Sequence, residues 1–72
     1  MIRKKDLESK AEEVSRLSGM NLEIGWAYGR PRVFRVCSYG LVEFSPRLSK
    51  GDLWEWMDAW LTGYLAGTGD QR

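Results

Sequence analysis

Three of the four tryptophans of this 72-residue chain lie in one short stretch, residues 49–65 (SKGDLWEWMDAWLTGYL). At about 3.6 residues per turn, its large apolar residues form one helical stripe, made of Leu53, Met57, Trp60, Leu61 and Tyr64. Trp56 borders the stripe on one side, and Trp54 and Leu65 border it on the other. The apolar arc is about 180° wide, against the roughly 100° that an ordinary surface helix buries. We therefore expect a core helix around which the rest of the chain folds.

The start of this helix is signalled by its first residues. The Ser49 hydroxyl can cap the helix, and Asp52 places a negative charge near the positive helix end. Glycine weakens a helix interior by up to about 1 kcal/mol, and Gly51 and Gly63 fall within this one. We therefore expect tertiary packing to hold the helix in place.

A polar helix and three short strands precede the aromatic-rich helix. Residues 3–18 carry a thin apolar stripe at helical spacing, and Gly19 is suited to end that helix. Three segments with alternating apolar and polar residues follow, and they are residues 21–28, 32–39 and 41–45. The first turn between them is predicted at Gly29-Arg30-Pro31.

These elements predict an α+β fold in the order α-β-β-β-α. The strands form a three-stranded antiparallel meander, with the two helices packed on one face of the sheet. Residues 1–66 make up the single domain, and residues 67–72 are expected to be a flexible C-terminal tail.

The alternation also predicts which strand residues point toward the helices. In the first strand, Leu22, Ile24 and Trp26 share one face, and in the second we expect Phe34 and Val36 to point inward with them. The predicted outer face then comprises Glu23, Gly25, Ala27, Val33, Arg35, Cys37 and Glu43. Several of these residues are small or apolar, so the outer face is a candidate contact surface.

Length and charge both favour an interaction partner. A chain of this size buries only about 60% of its unfolded surface, so it gains stability from a second copy or another protein. The net charge is +1. Residues 21–50 are nevertheless basic and residues 51–72 are acidic, which favours a polar binding face or charge complementarity between protomers.

The residue types needed for catalysis are scarce. The sequence has no histidine, the commonest general base and metal ligand, and its one cysteine, Cys37, cannot build a zinc site. Asp52, Glu55 and Asp58 lie about one turn apart, a spacing typical of a solvated helix face. No glycine-rich phosphate-binding motif is present. We therefore expect no enzyme activity, no cofactor, no metal and no small-molecule substrate.

The sequence predicts a cytoplasmic protein. No apolar run approaches the roughly 20 residues of a membrane span, and no apolar signal segment follows the basic start. A single cysteine agrees with a reducing compartment.

A nucleic-acid-binding module is the alternative function. The α-β-β-β-α order resembles that of double-stranded RNA-binding domains, which read duplex shape. The segment GRPRVFRV and the later Ser49-Lys50 resemble the strand pair and basic helix start of that family, although its run of lysines is absent and Asp52 follows instead. The basic residues that this alternative assigns to phosphate contacts are Arg30, Arg32, Arg35, Arg47 and Lys50.

Residues 22–65 resemble a group of small, uncharacterised phage and prophage proteins of Gram-positive bacteria. The matching features are Ala27-Tyr28-Gly29, the basic-hydrophobic strand 32–36, Gly40, the lead Ser45-Pro46-Arg47-Leu48-Ser49-Lys50, and Leu53, Trp56, Leu61 and Gly63. The resemblance implies a bacterial host cell as the setting and a similar size class, and it implies no catalytic residues.

Together these observations predict a small phage-type protein-interaction module or homo-oligomer without catalysis. The candidate protein-contact residues are Trp54, Trp56, Arg35 and Val33. Tryptophan is enriched where interfaces concentrate their binding energy.

Overall fold

A computed structural model describes residues 1–69 of the chain. Its elements in chain order are α1 (Lys4–Ser18), β1 (Leu22–Ala27), β2 (Arg30–Cys37), β3 (Gly40–Glu43) and α2 (Lys50–Gly69). The strands form one antiparallel sheet in the order β1-β2-β3. The predicted α-β-β-β-α order and antiparallel meander are confirmed.

Local hydrogen bonds set the limits of α1. The Asp6 carboxylate accepts the backbone N–H of Arg3 at 2.9 Å, which satisfies a donor at the helix start. At the other end Gly19 has a φ of 79°, and its N–H donates to the Ser15 carbonyl at 3.0 Å. This left-handed glycine ends the helix as the sequence predicts.

Ser49 caps α2 as predicted. Its hydroxyl accepts the Asp52 N–H at 3.3 Å, and its carbonyl accepts the Leu53 N–H at 2.8 Å. The helix continues to Gly69, so it includes residues 67–69 of the predicted tail. Residues 70–72 lie outside the described residues, and the flexible tail stays a prediction.

The first hairpin turns one residue earlier than predicted. Tyr28 and Gly29 form the turn with φ values of 56° and 72°, the signs of a type I′ turn. Arg30 and Pro31 already belong to β2, opposite Ala27 and Trp26. Pro31 is tolerated in the strand because its nitrogen faces the side on which β3 has already ended.

The predicted facing of β2 is wrong. Val33 lies opposite Ile24 on the helix-facing side and is 0% exposed, whereas Phe34 and Val36 lie on the outer side. β2 has apolar residues on both faces, so alternation alone does not decide its orientation. The two-residue turn fixes the register instead.

Both helices pack on the face that carries Val33. The buried apolar core is Leu7, Ala11, Val14, Leu22, Val33, Leu53, Met57 and Leu61. The helices run in the same direction, because Lys10 contacts Asp58 near their middles and Tyr64 contacts the Ser18 carbonyl near their ends. Within residues 1–69, no helix is both long and apolar enough to span a bilayer.

Candidate functional site

The β3 strand forms an open sheet edge. All its residues, Gly40–Glu43, are exposed, and among residues 1–69 it has a strand neighbour on one side only. The Phe44 N–H donates to the Val33 carbonyl at 2.9 Å. Because hydrogen-bonding direction alternates along an antiparallel strand, the backbone groups of Leu41 and Glu43 point away from β2. We call this row of outward-pointing groups the β3 edge.

The opposite edge of the sheet is better protected. The Leu22 N–H of β1 donates to the Ser15 hydroxyl of α1 at 3.0 Å. An open groove between α1 and β1 is lined by three carboxylates, those of Glu8, Glu12 and Glu23. The β1 edge is therefore less suited to strand addition, because the Ser15 hydroxyl occupies one of its N–H groups and three carboxylates lie beside it. The β3 edge is the more accessible one for another strand.

An aromatic row runs along α2 beside the end of β3. We define it as Phe44, Trp56, Trp60 and Tyr64. Phe44 meets Trp56 and Trp60 edge-on, with ring centroids 5.6 and 5.2 Å apart, and Trp60 stacks on Tyr64 at 5.3 Å. Phe44, Trp56 and Trp60 are half-buried, and Tyr64 is 37% exposed. The four rings are therefore in contact with one another, and each is partly open to solvent.

The structure divides the four predicted protein-contact residues. Trp56 belongs to the aromatic row, and Arg35 is exposed opposite Val42 of β3. Trp54 lies apart from them, where the Lys10 ammonium sits 4.7 Å from its ring centroid. Val33 is completely buried, so its assignment to a contact surface is wrong.

The outer sheet face is partly apolar, but with different residues from those predicted. The Phe34 ring lies over Gly25, where an added Cβ would collide with Cε2 and lie 2.9 Å from Cδ2. Leu41 is 58% exposed on this face, next to the half-buried Val36. Arg32 and Glu43 form an ion pair beside Phe34. This face meets the β3 edge at Leu41.

Lys10 of α1 joins the two helices through an ion pair with Asp58 of α2. Its ammonium lies 2.7 Å from Asp58 and 3.0 Å from Glu13, and its side chain is 10% exposed. Burial alone would lower the pKa of Lys10, but the hydrogen bonds that its ammonium donates to Asp58 and Glu13, together with the charges of these carboxylates, outweigh burial and raise the pKa above its ordinary value. The cluster stabilises the helix pair and lies away from the β3 edge.

The five basic residues assigned to nucleic acid do not form one group. The Arg47 guanidinium donates to the Arg30 carbonyl at 2.9 Å, and Lys50 begins α2 close by. Arg32 is paired with Glu43 on the outer face, and Arg35 lies farther along β2 on the helix-facing side. The structure therefore brings Arg47 to Arg30 and leaves Arg32 and Arg35 on opposite faces of β2.

Potential metal ligands and the cysteine thiol are distributed as follows in residues 1–69. Within residues 1–69, no group of three or more histidine, cysteine, aspartate or glutamate side chains is arranged to hold a metal ion. Cys37 is a half-buried free cysteine at the end of β2.

Comparisons with protein-family models, with curated proteins and with solved structures found no match to this chain. The candidate site is therefore defined by the geometry described above, and its two parts are the β3 edge and the aromatic row.

Proposed function

We propose that this protein is a small, non-catalytic protein-interaction module that self-associates through the β3 edge. The observation that carries the proposal is the exposure of β3 on both faces, with Leu41 58% and Val42 38% exposed. An unpaired strand with apolar side chains is a template for adding another strand. Within the described residues, β3 carries neither the proline nor the lysine that commonly blocks such pairing.

A second copy fits this edge in antiparallel register. If a two-fold axis passes through Val42, the outward backbone groups of Leu41 meet those of Glu43 in the second copy. This register also keeps the two Glu43 carboxylates from lying directly opposite each other, and each stays beside its own Arg32. Three strands from each copy then form one continuous sheet, which is a self-complementary two-fold interface.

The aromatic row extends the contact beyond backbone hydrogen bonds. Phe44 follows β3 directly, so pairing at β3 brings the row of each copy toward the interface. Large aromatic side chains that lose water at an interface supply most of its binding energy. The buried core cluster of residues 1–69 has eight members, and so small a core gains stability from this additional burial.

We further propose that the protein acts in a bacterial cell. Residues 22–65 resemble small phage and prophage proteins of Gram-positive bacteria, which supports action in the cytoplasm of a bacterial host. The absence of histidine from the sequence supports a role in binding, without a cofactor.

Light scattering across a concentration series tests self-association. The wild-type protein should reach about twice the monomer mass of 8.3 kDa as concentration rises. Leu41→Lys should remain monomeric, because a lysine on the edge opposes strand pairing. Leu17→Lys is the matched control, since Leu17 is a 43% exposed leucine on α1, and it should associate like the wild type. A wild-type monomer at every concentration, or equal behaviour of the two variants, contradicts the proposal.

A further inference from the structure

Both helices start at the end of the molecule that carries the Tyr28–Gly29 turn. The Leu48 N–H donates to the Pro31 carbonyl at 3.2 Å, which holds the start of α2 beside the first residues of β2. The Lys4 ammonium sits 5.1 Å from the ring centroid of Trp26, which is opposite Pro31. We call this region the hairpin end.

Positive charge is concentrated at the hairpin end. Its basic residues are Arg3, Lys4, Lys5, Arg30, Arg47 and Lys50. The acidic residues in the first turns of the helices are Asp6 and Asp52. Because the whole chain has a net charge of only +1, this end is far more basic than the rest. The positive ends of two helices add to its attraction for anions.

Tyr28 is an unusual residue for the turn that it occupies. Its φ is 56°, a left-handed conformation in which asparagine and glycine are favoured over a tyrosine. Its side chain is 97% exposed, so packing within the fold does not explain why a tyrosine occupies this position. Unfavourable backbone conformations concentrate at functional positions, which makes Tyr28 a candidate functional residue.

We propose that the hairpin end binds single-stranded nucleic acid, with one base stacked on Tyr28. Lys4, Arg30, Arg47 and Lys50, which lie at the hairpin end, contact the phosphates. Proteins that bind single strands combine a basic surface with exposed aromatic rings, because every base has a face that stacks. An acidic peptide would satisfy the cations but gives no reason for the exposed ring. The site lies at the end of the sheet, separate from the Leu41 and Glu43 backbone groups of the β3 edge.

Fluorescence anisotropy with labelled single-stranded DNA and RNA of about 12 nucleotides tests this site, a length within the range that small domains cover. The wild type should bind at low salt and weaken steeply as salt is added. Tyr28→Asn should reduce affinity about 5- to 100-fold, whereas Tyr28→Phe, which retains the stacking face, should bind like the wild type. Arg30→Gln combined with Arg47→Gln should reduce both the affinity and its salt dependence.

The chain provides matched controls at its opposite end. Tyr39 is 81% exposed in the other hairpin turn, and Arg16 lies in the last turn of α1. Tyr39→Asn and Arg16→Gln should leave binding unchanged. Tyr28→Asn should unfold at the same or a higher temperature than the wild type, because asparagine tolerates a positive φ, so loss of binding would not reflect misfolding.

Three outcomes would overturn the proposal. The first is absence of binding to either single strand by the wild type at low salt. The second is a Tyr28→Asn variant that binds as tightly as the wild type. The third is equally effective competition by a duplex or by a polyglutamate peptide, which would show a site for any polyanion.

Discussion

The hydroxyl of Ser45 accepts the backbone N–H of Val33 at 2.9 Å and donates to the Pro46 carbonyl at 3.0 Å. The Val33 carbonyl in turn accepts the N–H groups of Phe44 and Ser45 at 2.9 and 3.2 Å. The most buried residue of the sheet is thus anchored by the segment that leads into α2. Ser45 therefore couples the position of β2 to the start of the aromatic-rich helix.

Replacing Ser45 should destabilise the fold. Ser45 is 4% exposed, so Ser45→Ala leaves the Val33 N–H buried without its acceptor. We expect the free energy of unfolding to fall by about 1–3 kcal/mol, measured by urea denaturation. Ser38→Ala, in the exposed second turn, is the control and should change little. Equal effects of the two substitutions would show that the Ser45 hydrogen bond is dispensable.

The ion pairs of Lys10 with Glu13 and Asp58 should make the free energy of unfolding depend on pH in the alkaline range. A lysine whose pKa is raised in the folded state stabilises that state while it is protonated. The contribution is therefore complete at neutral pH and is lost as pH rises above the ordinary lysine value of 10.5 and through the folded-state pKa. Lys10→Met should lower the free energy of unfolding by about 1 kcal/mol at neutral pH. The difference in unfolding free energy between this variant and the wild type should shrink above pH 10.5. Denaturation across a pH series measures it, and a pH-independent difference would count against the ion pairs.

The two outer tryptophans of α2 should behave differently. Trp56→Ala removes part of the aromatic row and should weaken self-association by about 1–3 kcal/mol while the monomer stays folded. Trp54→Ala removes a ring packed beneath Lys10, so it should lower unfolding stability and leave the dimer dissociation constant unchanged. Sedimentation equilibrium and circular dichroism separate these effects. Equal weakening of the dimer by both variants would contradict the assignment of the interface to the Trp56 side.

Gly25 and Phe34 should be energetically coupled. In Gly25→Ala the new methyl group meets the Phe34 ring and must displace it, which should cost about 1 kcal/mol. In a Phe34→Ala background the same substitution should cost nothing or stabilise the strand, because the space above Gly25 is then open. A double-mutant cycle by chemical denaturation measures the coupling. Additive effects would show that the ring does not determine the choice of glycine.

The parts of the fold that the sequence predicts are those marked by local chemistry. Gly19 ends α1 through its left-handed backbone, and Ser49 starts α2 through its hydroxyl, so both helices are predictable. The orientation of β2 is not predictable from the sequence, because Val33 and Phe34 are both suited to a core. Register, set by the turn at Tyr28, decides between them.

The candidate surfaces depend more strongly on tertiary structure. Trp56 is predictable as a margin residue of α2, but its partner Phe44 comes from the segment after β3. The hydrogen bond from the Arg47 guanidinium to the Arg30 carbonyl joins residues far apart in the chain, so the periodicity of the sequence does not predict it. Tyr28 offered one signal, an aromatic residue directly before a turn glycine.

Amide hydrogen exchange at β3, followed by NMR at low and high protein concentration, tests self-association through this edge most directly. We expect the Leu41 and Glu43 amides to exchange rapidly in dilute solution and to become protected as the dimer forms. The Val42 amide, which faces β2, should be protected at both concentrations and serves as the internal control. Rapid exchange of Leu41 and Glu43 at every concentration, while Val42 stays protected, would contradict pairing at the β3 edge.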